Sequence, residues 1–530
     1  MVVATNVAET SVTIADVTHV IDVGRLKATR YHAATRMASL KAEWVSSAAA
    51  AQRRGRAGRV APGTCYRLWP EAMALDAQMA PEMLRAPLEE LLLNAAMLGV
   101  ASPAAFLSRA LQPPPRASVD AAMRNLLELQ ALAPASPPQS SSSPGAAWED
   151  LGPNPNRPAA ATTPAAAIAS GGSFELTPLG FHLASLPLDP RLGKLLLLSC
   201  LCGCAERALT VAAALSSAKS VFAAGGPGRD RQEAASDAHR AAFGASRSDL
   251  LAAAAAYDGW VAACAAGGSR AERVYCDEHY LSGKALREVE ATRAQLHSQL
   301  VRAGLMRPAE QPQPQPQPQP PQPQPQPQRA SAAPDAVGDA EALAARVASA
   351  KAAAALAADD ALLRGVICAA LYPNLALAER QRAKSGAAYE KLVVGGGAGG
   401  GMETQAWFHP SSVNASPAKA EGGLFVFLEK VETSRLFLRG TTRVPPAALL
   451  LFGATPHELD VERVKTCGRV DLATTGARVR ISPEATLLLK LLRRELDKCL
   501  MRHASAPADA AIGRASQEVV DAVRTLLGRH

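Results

Sequence analysis

Aromatic residues are scarce in this sequence. Phe, Trp and Tyr make up 4% of its 530 residues, whereas hydrophobic residues as a whole make up 48%. The cores must therefore be built mostly from Ala, Leu and Val. Because Ala and Leu favour helix, the composition predicts a mainly helical protein, and the length allows roughly three or four domains of about 150 residues each.

Long apolar runs are also missing. No run reaches the length of about 18 residues that is typical of a membrane span. The N-terminus has no basic segment followed by an apolar core, and Glu9 and Asp16 argue against a transit peptide. The sequence thus predicts an intracellular protein, nuclear or cytoplasmic, without a signal peptide or transmembrane segment.

The nine cysteines do not form a disulfide framework or a zinc site. Their number is odd and the chain is long, which favours a reducing compartment. Cys200, Cys202 and Cys204 lie close together, but no second Cys or His pair follows at zinc spacing. Since they end the apolar run 195–198, we expect them to be buried helix residues.

Basic residues exceed acidic ones, which gives a net charge of +8 and a pI of about 9.1. This excess permits a polyanionic partner, although over such a length it is more often ordinary solubilising surface. It therefore does not identify a partner by itself.

The first 70 residues read as short strands separated by polar segments. Residues 2–6 read as a buried strand, 19–23 as a second strand that ends at Gly24, and 64–68 as a third. Residues 25–45 are basic and mixed, as in an exposed hairpin. Because a parallel strand needs neighbours on both sides, we expect the chain to begin in the middle of a domain.

Residues 52–59, Gln-Arg-Arg-Gly-Arg-Ala-Gly-Arg, contain four arginines and two glycines and are called the arginine segment below. If the segment opens a helix, Gln52, Arg56 and Arg59 share one face. Gly55 and Gly58 would let a ligand or backbone approach beside it. Arginine suits phosphate because its planar fork binds bidentately. A solvated basic turn or a nuclear-localisation patch is the alternative.

The rest of the chain alternates helices with low-complexity segments. Residues 134–172 are rich in Pro, Ser, Ala and Gly and read as a disordered insertion, and 311–328 are Pro-Gln repeats typical of an extended linker. Predicted helices cover residues 88–98, 119–132, 191–218 as a pair around Gly203, 285–305, 340–370, 484–500 and 517–527. Short strands at 424–428 and 436–438 are consistent with a hairpin of a small barrel.

Residues 3–11, Val-Ala-Thr-Asn-Val-Ala-Glu-Thr-Ser, resemble motif V of the DEAH/RNA-helicase-A-like (DExH-box) RNA helicases. The arginine segment resembles their motif VI. Later segments resemble the end of the winged helix (176–189), the helical ratchet (191–215, 248–260 and 275–286) and the OB-fold (371–374, 409–414 and 429–442) of the same family. The resemblance covers roughly three quarters of the chain.

The resemblance implies a multidomain fold that combines α/β, α and β parts: a partial RecA-like lobe, a winged helix, a helical ratchet bundle and an OB-fold-like barrel. The implied boundaries are 1–70 for the second RecA-like lobe and 71–187 for the winged helix with its insertion. They continue with 188–306 for the ratchet, 307–340 for the linker, 341–470 for the OB-fold region with its leading helix and 471–530 for C-terminal helices.

The resemblance also implies roles for single residues. Gln52 would position the attacking water, and Arg56 and Arg59 would act as arginine fingers on the γ-phosphate of ATP; an ion pair within the lobe is the structural alternative. The remaining implied residues are Thr13, Asp16 and Gly55 for the nucleotide, Thr5, Asn6, Arg25 and Lys27 for RNA, Glu9 and Ser11 for coupling, and Trp44 for strand separation. Family members carry an acid two residues after Thr13, where this chain has Ala15, so either the ribose contact is lost or Asp16 takes it over.

One part of the family pattern is missing. The sequence contains no Gly-x-x-x-x-Gly-Lys-[Ser/Thr] and no Asp-Glu-x-His, which hold ATP and Mg²⁺ in the complete enzyme. Residues 236–239 and 277–279 imitate the second motif by chance. We therefore expect the C-terminal portion of an ATP-dependent RNA helicase with 3′-to-5′ translocation, inactive alone. A non-catalytic RNA-binding adaptor derived from a helicase is the alternative; RNA is the expected partner, and proteins could bind the Pro-Gln linker.

Overall fold

The computed structural model describes residues 1–10, 16–32, 37–59, 61–135, 168, 172–217, 219–226, 228–306, 360–382, 388–396, 401–415, 422–432, 435–454, 458–472, 476–506 and 510–528. They form two compact units. The first contains residues 1–184 and 429–437, and the second contains 185–428 and 438–530. The Pro-Gln repeats and nearly all of the predicted insertion lie outside the described residues.

The first unit contains helices and short strands in about equal number. Its helices are Val7–Thr10, Ser47–Arg54, Glu89–Met97, Pro103–Leu107, Arg116–Glu128 and Pro178–Ser185, with a 3₁₀ turn at Glu82–Leu84. Its strands are His19–Asp22, Arg25–His32, Met37–Trp44, Thr64–Arg67, Leu132–Pro134, Phe174–Leu176 and Glu429–Glu432.

The prediction of a buried strand at residues 2–6 is wrong. Residues 1–5 have no regular structure, Val2 and Val3 are 66% and 86% exposed, and a short helix begins at Val7. An extended apolar segment becomes a strand only when a neighbouring strand satisfies its backbone. The described residues offer this segment no such neighbour.

The other predicted strands of this unit are confirmed. His19–Asp22 and Thr64–Arg67 pair in parallel, with His19 opposite Thr64. Arg25–His32 and Met37–Trp44 form an antiparallel hairpin, as the basic segment predicted. Gly24 joins strand and hairpin with φ +72°, and a Cβ there would lie 2.5 Å from the Trp69 ring, so this turn requires glycine.

The remainder of the first unit packs helices on a small hairpin. Leu132–Pro134 pairs antiparallel with Phe174–Leu176, and the helices Glu89–Met97 and Arg116–Glu128 pack beside it through buried Leu92, Leu93 and Leu126. Gly180 allows close contact, since a Cβ there would lie 2.0 Å from the Ala131 carbonyl oxygen.

The helical part of the second unit confirms the predicted pair around Gly203. Its helices are Pro190–Cys202, Ala205–Ser216, Arg229–Phe243, Asp249–Glu278 and Gly283–Arg302, with a 3₁₀ turn at Gly244–Ser246. Gly203 ends the first helix with φ +74°, a conformation that favours glycine. The last helix buries Leu286, Val289 and Leu300 on one face, as its periodicity predicted.

One described helix, Asp249–Glu278, is long and apolar enough to cross a membrane by length and composition alone. This is weak evidence, because the core helix of a globular domain passes the same test. Here Leu251 and Trp260 are buried against neighbouring helices, and Gly267 and Gly268 have non-helical backbone angles.

The β part of the second unit is an antiparallel sheet with more strands than the two predicted at 424–428 and 436–438. A helix at residues 360–371 precedes it. The strands, in spatial order, are Thr442–Val444, Gly423–Val426, Leu375–Arg382, Ala388–Gly396 and Gly401–Phe408, and Leu436–Arg439 is a further strand of the chain. A bulge between Val394 and Gly396 bends the sheet. Phe425 and Phe427 are fully buried.

Asp249 joins this sheet to the helices. At the start of helix Asp249–Glu278, its carboxylate accepts hydrogen bonds from the Ser412 hydroxyl (2.7 Å), the Val413 amide (2.9 Å) and both the amide and hydroxyl of Thr441 (2.8 Å each). Burial raises the pKa of Asp249, against the lowering effect of these hydrogen bonds.

The C-terminal residues form helices and one small hairpin. The helices are Pro446–Phe452, Val461–Cys467, Pro483–Ser505 and Ala510–Leu527, and the strands Arg469–Asp471 and Arg478–Arg480 pair antiparallel. Two C-terminal helices were predicted, but this hairpin was not. Arg493 donates to the carbonyl oxygens of Leu451 and Ala454 and so satisfies the end of helix Pro446–Phe452.

Candidate functional site

The arginine segment lies at the end of a helix and not at its beginning. The helix Ser47–Arg54 begins at Ser46, whose hydroxyl accepts from the Ala49 amide at 3.2 Å. It ends at Gly55, and residues 55–58 form a turn. The upstream N-cap sets the start, and the two glycines of the segment favour its termination.

The predicted common helical face of Gln52, Arg56 and Arg59 is therefore wrong. Gln52 lies exposed in the last helical turn, Arg56 lies half-buried in the following turn, and Arg59 is exposed beyond it. Gly58 has open space around it, because a Cβ there would meet no described atom within 4 Å. This space leaves room for a ligand or backbone beside Gly58, as the sequence suggested.

Arg53 is the best-held side chain of the segment. Its Nε lies 3.1 Å from Glu9 Oε2, and its Nη1 lies 2.9 Å from Asp22 Oδ1 and 3.4 Å from the Arg25 carbonyl oxygen. Asp22 is 3% exposed and also accepts from the Gly24 amide at 2.9 Å. Burial lowers the pKa of Arg53, but its hydrogen bonds to Asp22 and Glu9 outweigh that effect, so the pKa is raised.

Arg56 forms a hydrogen bond through one of its two Nη atoms. Its Nη2 donates to the backbone carbonyl oxygen of Glu9, while its Nη1 is buried without a hydrogen-bond partner among the described residues. Glu9 thus contacts two arginines, Arg53 through its carboxylate and Arg56 through its backbone. A buried N–H without a partner is costly, and an anion beside Nη1 would satisfy it.

The other residues implied near residues 3–16 divide into three cases. Thr5 and Asn6 are exposed, and their carbonyl oxygens accept from the Ala8 and Glu9 amides, so they begin the short helix. Asp16 is exposed in a turn, with no observed contact to the arginine segment. Ser11 and Thr13 lie outside the described residues.

The base of the hairpin carries a stacked cation. Arg25 and Trp44 are opposite each other across the two strands, and the Arg25 guanidinium lies 3.4 Å from the Trp44 ring centroid. Such contacts are attractive by about 0.5–1 kcal/mol at exposed sites. Lys27 is exposed on the same strand. The backbone carbonyl oxygen of Arg25 also accepts from Arg53 Nη1, and this contact links the hairpin to the arginine segment.

No metal site is found in the part of the chain that the structure describes. His239, in the first chance match to Asp-Glu-x-His, contacts the Tyr280 carbonyl oxygen at 3.0 Å, and burial lowers its pKa. Cys200 and Cys202 are unpaired thiols in a helix, and burial raises the pKa of each to about 12. The expectation of buried helix cysteines is confirmed for Cys202. Cys200 lies in the same helix but is partly exposed, and Cys204 is buried directly before the next helix.

Sequence reasoning missed the part played by Asp22 and Arg53. Arg53 binds Asp22 and Glu9, which precede it by 31 and 44 residues in the chain, so no local sequence pattern relates the three. One signal was available: Asp22 ends a strand and lies two residues before the turn at Gly24, a place where an acid often faces a functional site.

Two family models match the chain. The oligonucleotide/oligosaccharide-binding (OB)-fold model matches residues 363–455, and the helicase associated domain (HA2), ratchet-like, matches residues 189–253. These ranges coincide with the antiparallel sheet and with the helices on either side of Gly203.

The chain is similar to several proteins that are named as helicases. The chain is 32% identical over 513 residues to ATP-dependent DNA/RNA helicase DHX36 of Mus musculus, an alignment that covers 96% of this chain and 42% of the relative. It is 32% identical over 510 residues to DExH-box ATP-dependent RNA helicase DExH1 of Arabidopsis thaliana, covering 96% and 41%. A putative DEAH-box ATP-dependent helicase of Mycosarcoma maydis is 32% identical over 556 residues, covering 100% and 31%. The chain spans less than half the length of these relatives.

Proposed function

Since the chain belongs to the DExH-box RNA helicases and corresponds to a C-terminal portion of them, we propose that it supplies the arginine side of an ATP site. It would also supply RNA-binding domains to an enzyme that couples NTP hydrolysis to 3′-to-5′ translocation and unwinding. The proposed domain boundaries remain those derived from the sequence. The parallel strand pair with helix Ser47–Arg54 supports a partial RecA-like lobe, and the hairpin with three helices supports a winged helix.

The observation that carries the ATP-site proposal is the state of Arg56. One Nη is fixed by the Glu9 backbone, and the other is buried without a partner among the described residues. In phosphoryl transfer, negative charge spreads over the γ-phosphoryl oxygens, and a fixed guanidinium stabilises it. Arg56 and Arg59 would act in this way, with Gln52 orienting the attacking water and Gly55 close to the phosphates.

Glu9 is proposed as the coupling residue. Its carboxylate binds Arg53 and its carbonyl binds Arg56, while Thr5 and Asn6 begin the same short helix. A shift of Thr5 and Asn6 on RNA would therefore move a direct contact of the arginine segment. We propose Ser11 as a second coupler, Thr13 and Asp16 as nucleotide contacts, and Arg25 and Lys27 as phosphate contacts to RNA.

ATP and Mg²⁺ are the cofactors that this proposal requires. This chain offers the arginines for the phosphates, but no lysine cradle and no acidic pair for the metal occur in its sequence. Another polypeptide segment would have to provide them. A Mg²⁺ ion held by that other segment would supply positive charge against the phosphates, beside Arg56 and Arg59 of this chain.

The ATP-site proposal can be tested in a chimera. The N-terminal part of a P-loop-containing relative is joined ahead of this chain, and RNA-stimulated ATP hydrolysis is measured. R56K should lower kcat by about 10³-fold, as loss of an arginine finger does, with little change in KM for ATP. Arg54, which is exposed, provides the matched control R54K. Equal activities of both variants would exclude the finger role.

The second candidate, a non-catalytic RNA-binding adaptor, is favoured by the missing phosphate clamp. Both functions predict that the chain binds single-stranded RNA without ATP and that binding weakens with salt. They differ in the chimera, where only the helicase function predicts ATP hydrolysis. No RNA affinity at 50 mM salt would exclude both. The chain alone should hydrolyse no ATP with or without RNA.

A further inference from the structure

A small hairpin after the OB-fold match presents several arginines on one face. Arg469–Asp471 pairs with Arg478–Arg480, so that Arg469 is opposite Arg480 and Asp471 is opposite Arg478. Val470 and Val479 point to the other face, where they are 1% and 8% exposed. Because side chains alternate across a strand, the remaining residues of both strands share the outward face.

Three guanidiniums share a single carboxylate on this face. Asp471 lies 3.1 Å from Arg469 Nε, 3.1 Å from Arg463 Nη2 and 3.9 Å from Arg478 Nε. The side chains of these arginines are 45%, 62% and 72% exposed, and Arg480 is exposed too. Arg463, Arg469, Arg478 and Arg480 are called the hairpin arginine cluster; with Asp471 its net charge is +3.

The arrangement is unfavourable in the absence of an anion. Like charges directly opposite each other across an antiparallel pair destabilise it, and Arg469 faces Arg480. One carboxylate cannot neutralise four guanidiniums. An anion with several oxygens would reduce this repulsion, and arginine binds phosphate bidentately.

We propose that the hairpin arginine cluster binds backbone phosphates of single-stranded RNA, beyond the RNA that the OB-fold holds. The inference rests on the proposed RNA-binding function. The cluster begins eight residues after the OB-fold match ends at residue 455, in the same compact unit. An RNA strand bound by the OB-fold would extend to the cluster, and its phosphates would supply the negative charge that Asp471 alone does not.

The contact is to phosphate and not to bases. From residue 453 to residue 530 the sequence contains no Phe, Trp or Tyr. Proteins bind single-stranded nucleic acids by stacking aromatic rings on the bases and by electrostatic attraction of the phosphate backbone. Without aromatic rings in this range, charge along the backbone is the main contribution we propose for this surface, so its binding should depend strongly on salt.

The nearby acids do not cancel the cluster. Asp460 accepts from the Glu462 and Arg463 amides and so caps helix Val461–Cys467, and Glu462 pairs with Lys465 at 2.7 Å. Asp460 and Glu462 therefore form their contacts within that helix and not with the arginines of the hairpin. Asp471 is the one acid on the described outward face of the hairpin.

The test measures binding of the whole chain to a fluorescent 20-nucleotide oligo(U) at several salt concentrations. R469Q/R478Q/R480Q should weaken binding about tenfold or more near 0.1 M salt and lower the slope of log K against log salt by about 2, since each phosphate contact contributes about 0.7. The matched control K490Q/R494Q/K498Q removes the same charge from exposed positions of helix Pro483–Ser505 and should change binding less than threefold.

A second variant separates RNA binding from a structural role. Asp471→Asn removes the competing carboxylate, so it should tighten RNA binding several-fold and steepen the salt slope by about 0.7. If the carboxylate only holds the hairpin together, D471N lowers thermal stability and leaves RNA binding unchanged, which overturns the proposal.

The outcomes distinguish this inference from the function on which it rests. Equal loss in the cluster variant and its control overturns the inference and leaves RNA binding by the chain in place. No binding by the wild-type chain at 50 mM salt removes both. If polyglutamate of equal charge displaces the RNA from the wild-type chain at the same concentration as unlabelled RNA does, the surface recognises acidic proteins equally well and the assignment to RNA is wrong.

Discussion

Asp22 and Asp249 are two enclosed aspartates whose carboxylates are satisfied in opposite ways. Asp22 in the first unit faces a guanidinium, at 2.9 Å from Arg53. Asp249 in the second unit faces four neutral donors from Ser412, Val413 and Thr441. Asp22 retains one buried oxygen, Oδ2, without a partner among the described residues, whereas both oxygens of Asp249 are used.

The difference indicates different tasks. A carboxylate among hydroxyls and amides fixes loops around a helix start, where the helix dipole also favours an acid. The Asp22 carboxylate shares Arg53 with Glu9, and one of its oxygens has no hydrogen-bond partner among the described residues. Charged networks of this kind occur at sites where a ligand supplies the missing hydrogen bond. Asp249 is therefore a structural residue and Asp22 a supporting residue of the candidate site.

The largest effect is expected for Asp249→Ala. It leaves the Val413 and Thr441 amides without an acceptor, while the Ser412 and Thr441 hydroxyls, 3.1 Å apart, can still bond to each other. Each unsatisfied buried group costs about 1–3 kcal/mol. We expect a loss of about 4 kcal/mol in the free energy of unfolding, measured by urea denaturation. The control is D237A, whose side chain is 73% exposed. A loss below about 1 kcal/mol would show that water replaces the four hydrogen bonds.

A smaller loss is expected for Arg53→Met. Removing one partner of an enclosed ion pair leaves an uncompensated charge, which costs about 3–5 kcal/mol when burial is complete. Because the Arg53 side chain is 15% exposed, we expect a loss of about 2 kcal/mol in the free energy of unfolding. Denaturant unfolding is followed by the fluorescence of Trp44 and Trp69, which lie in the same unit. The neighbouring R54M is the control. Equal stability of the two variants would mean that Asp22 and Glu9 need no cation.

How far these contacts could be predicted from the sequence depends on chain distance. The helices around Gly203 were predictable because apolar periodicity and a glycine end act locally. The OB-fold strands 375–382 and 401–408 were missed because polar residues or glycine take half of their positions, whereas the strand predictions relied on continuous apolar runs. The false strand at residues 2–6 shows the converse, since an apolar run forms a strand only beside a partner.

The candidate site was predictable in its residues but not in its geometry. Family resemblance marked Gln52, Arg56, Arg59 and Glu9, while the helix end at Gly55 contradicted the expected common face. The contacts of Arg53 with Glu9 and Asp22 join residues 44 and 31 positions apart. Ion pairs of that separation are set by the fold and leave no periodic signal in the sequence.

The smallest effect is expected for the dependence of Asp249 on pH. Burial raises the pKa of Asp249 above its ordinary value of 3.8, so the folded state binds a proton more readily than the unfolded state. A group with a raised folded pKa contributes stability that is complete below the unfolded value and is lost as the pH rises through the folded value. Relative to Asp249→Asn, which does not titrate, the wild-type chain should therefore gain stability as the pH falls from 7 towards 4.

The sign of this gain follows from the raised pKa of the enclosed Asp249 carboxyl. It is measured as the difference in urea unfolding free energy between wild type and D249N at each pH, which cancels the titration of all other acids. D237A against wild type gives the baseline for an exposed acid. A difference that falls with decreasing pH would mean that the four hydrogen bonds stabilise the carboxylate more than burial destabilises it, and Asp249 would then resemble an ion-paired acid despite having only neutral donors.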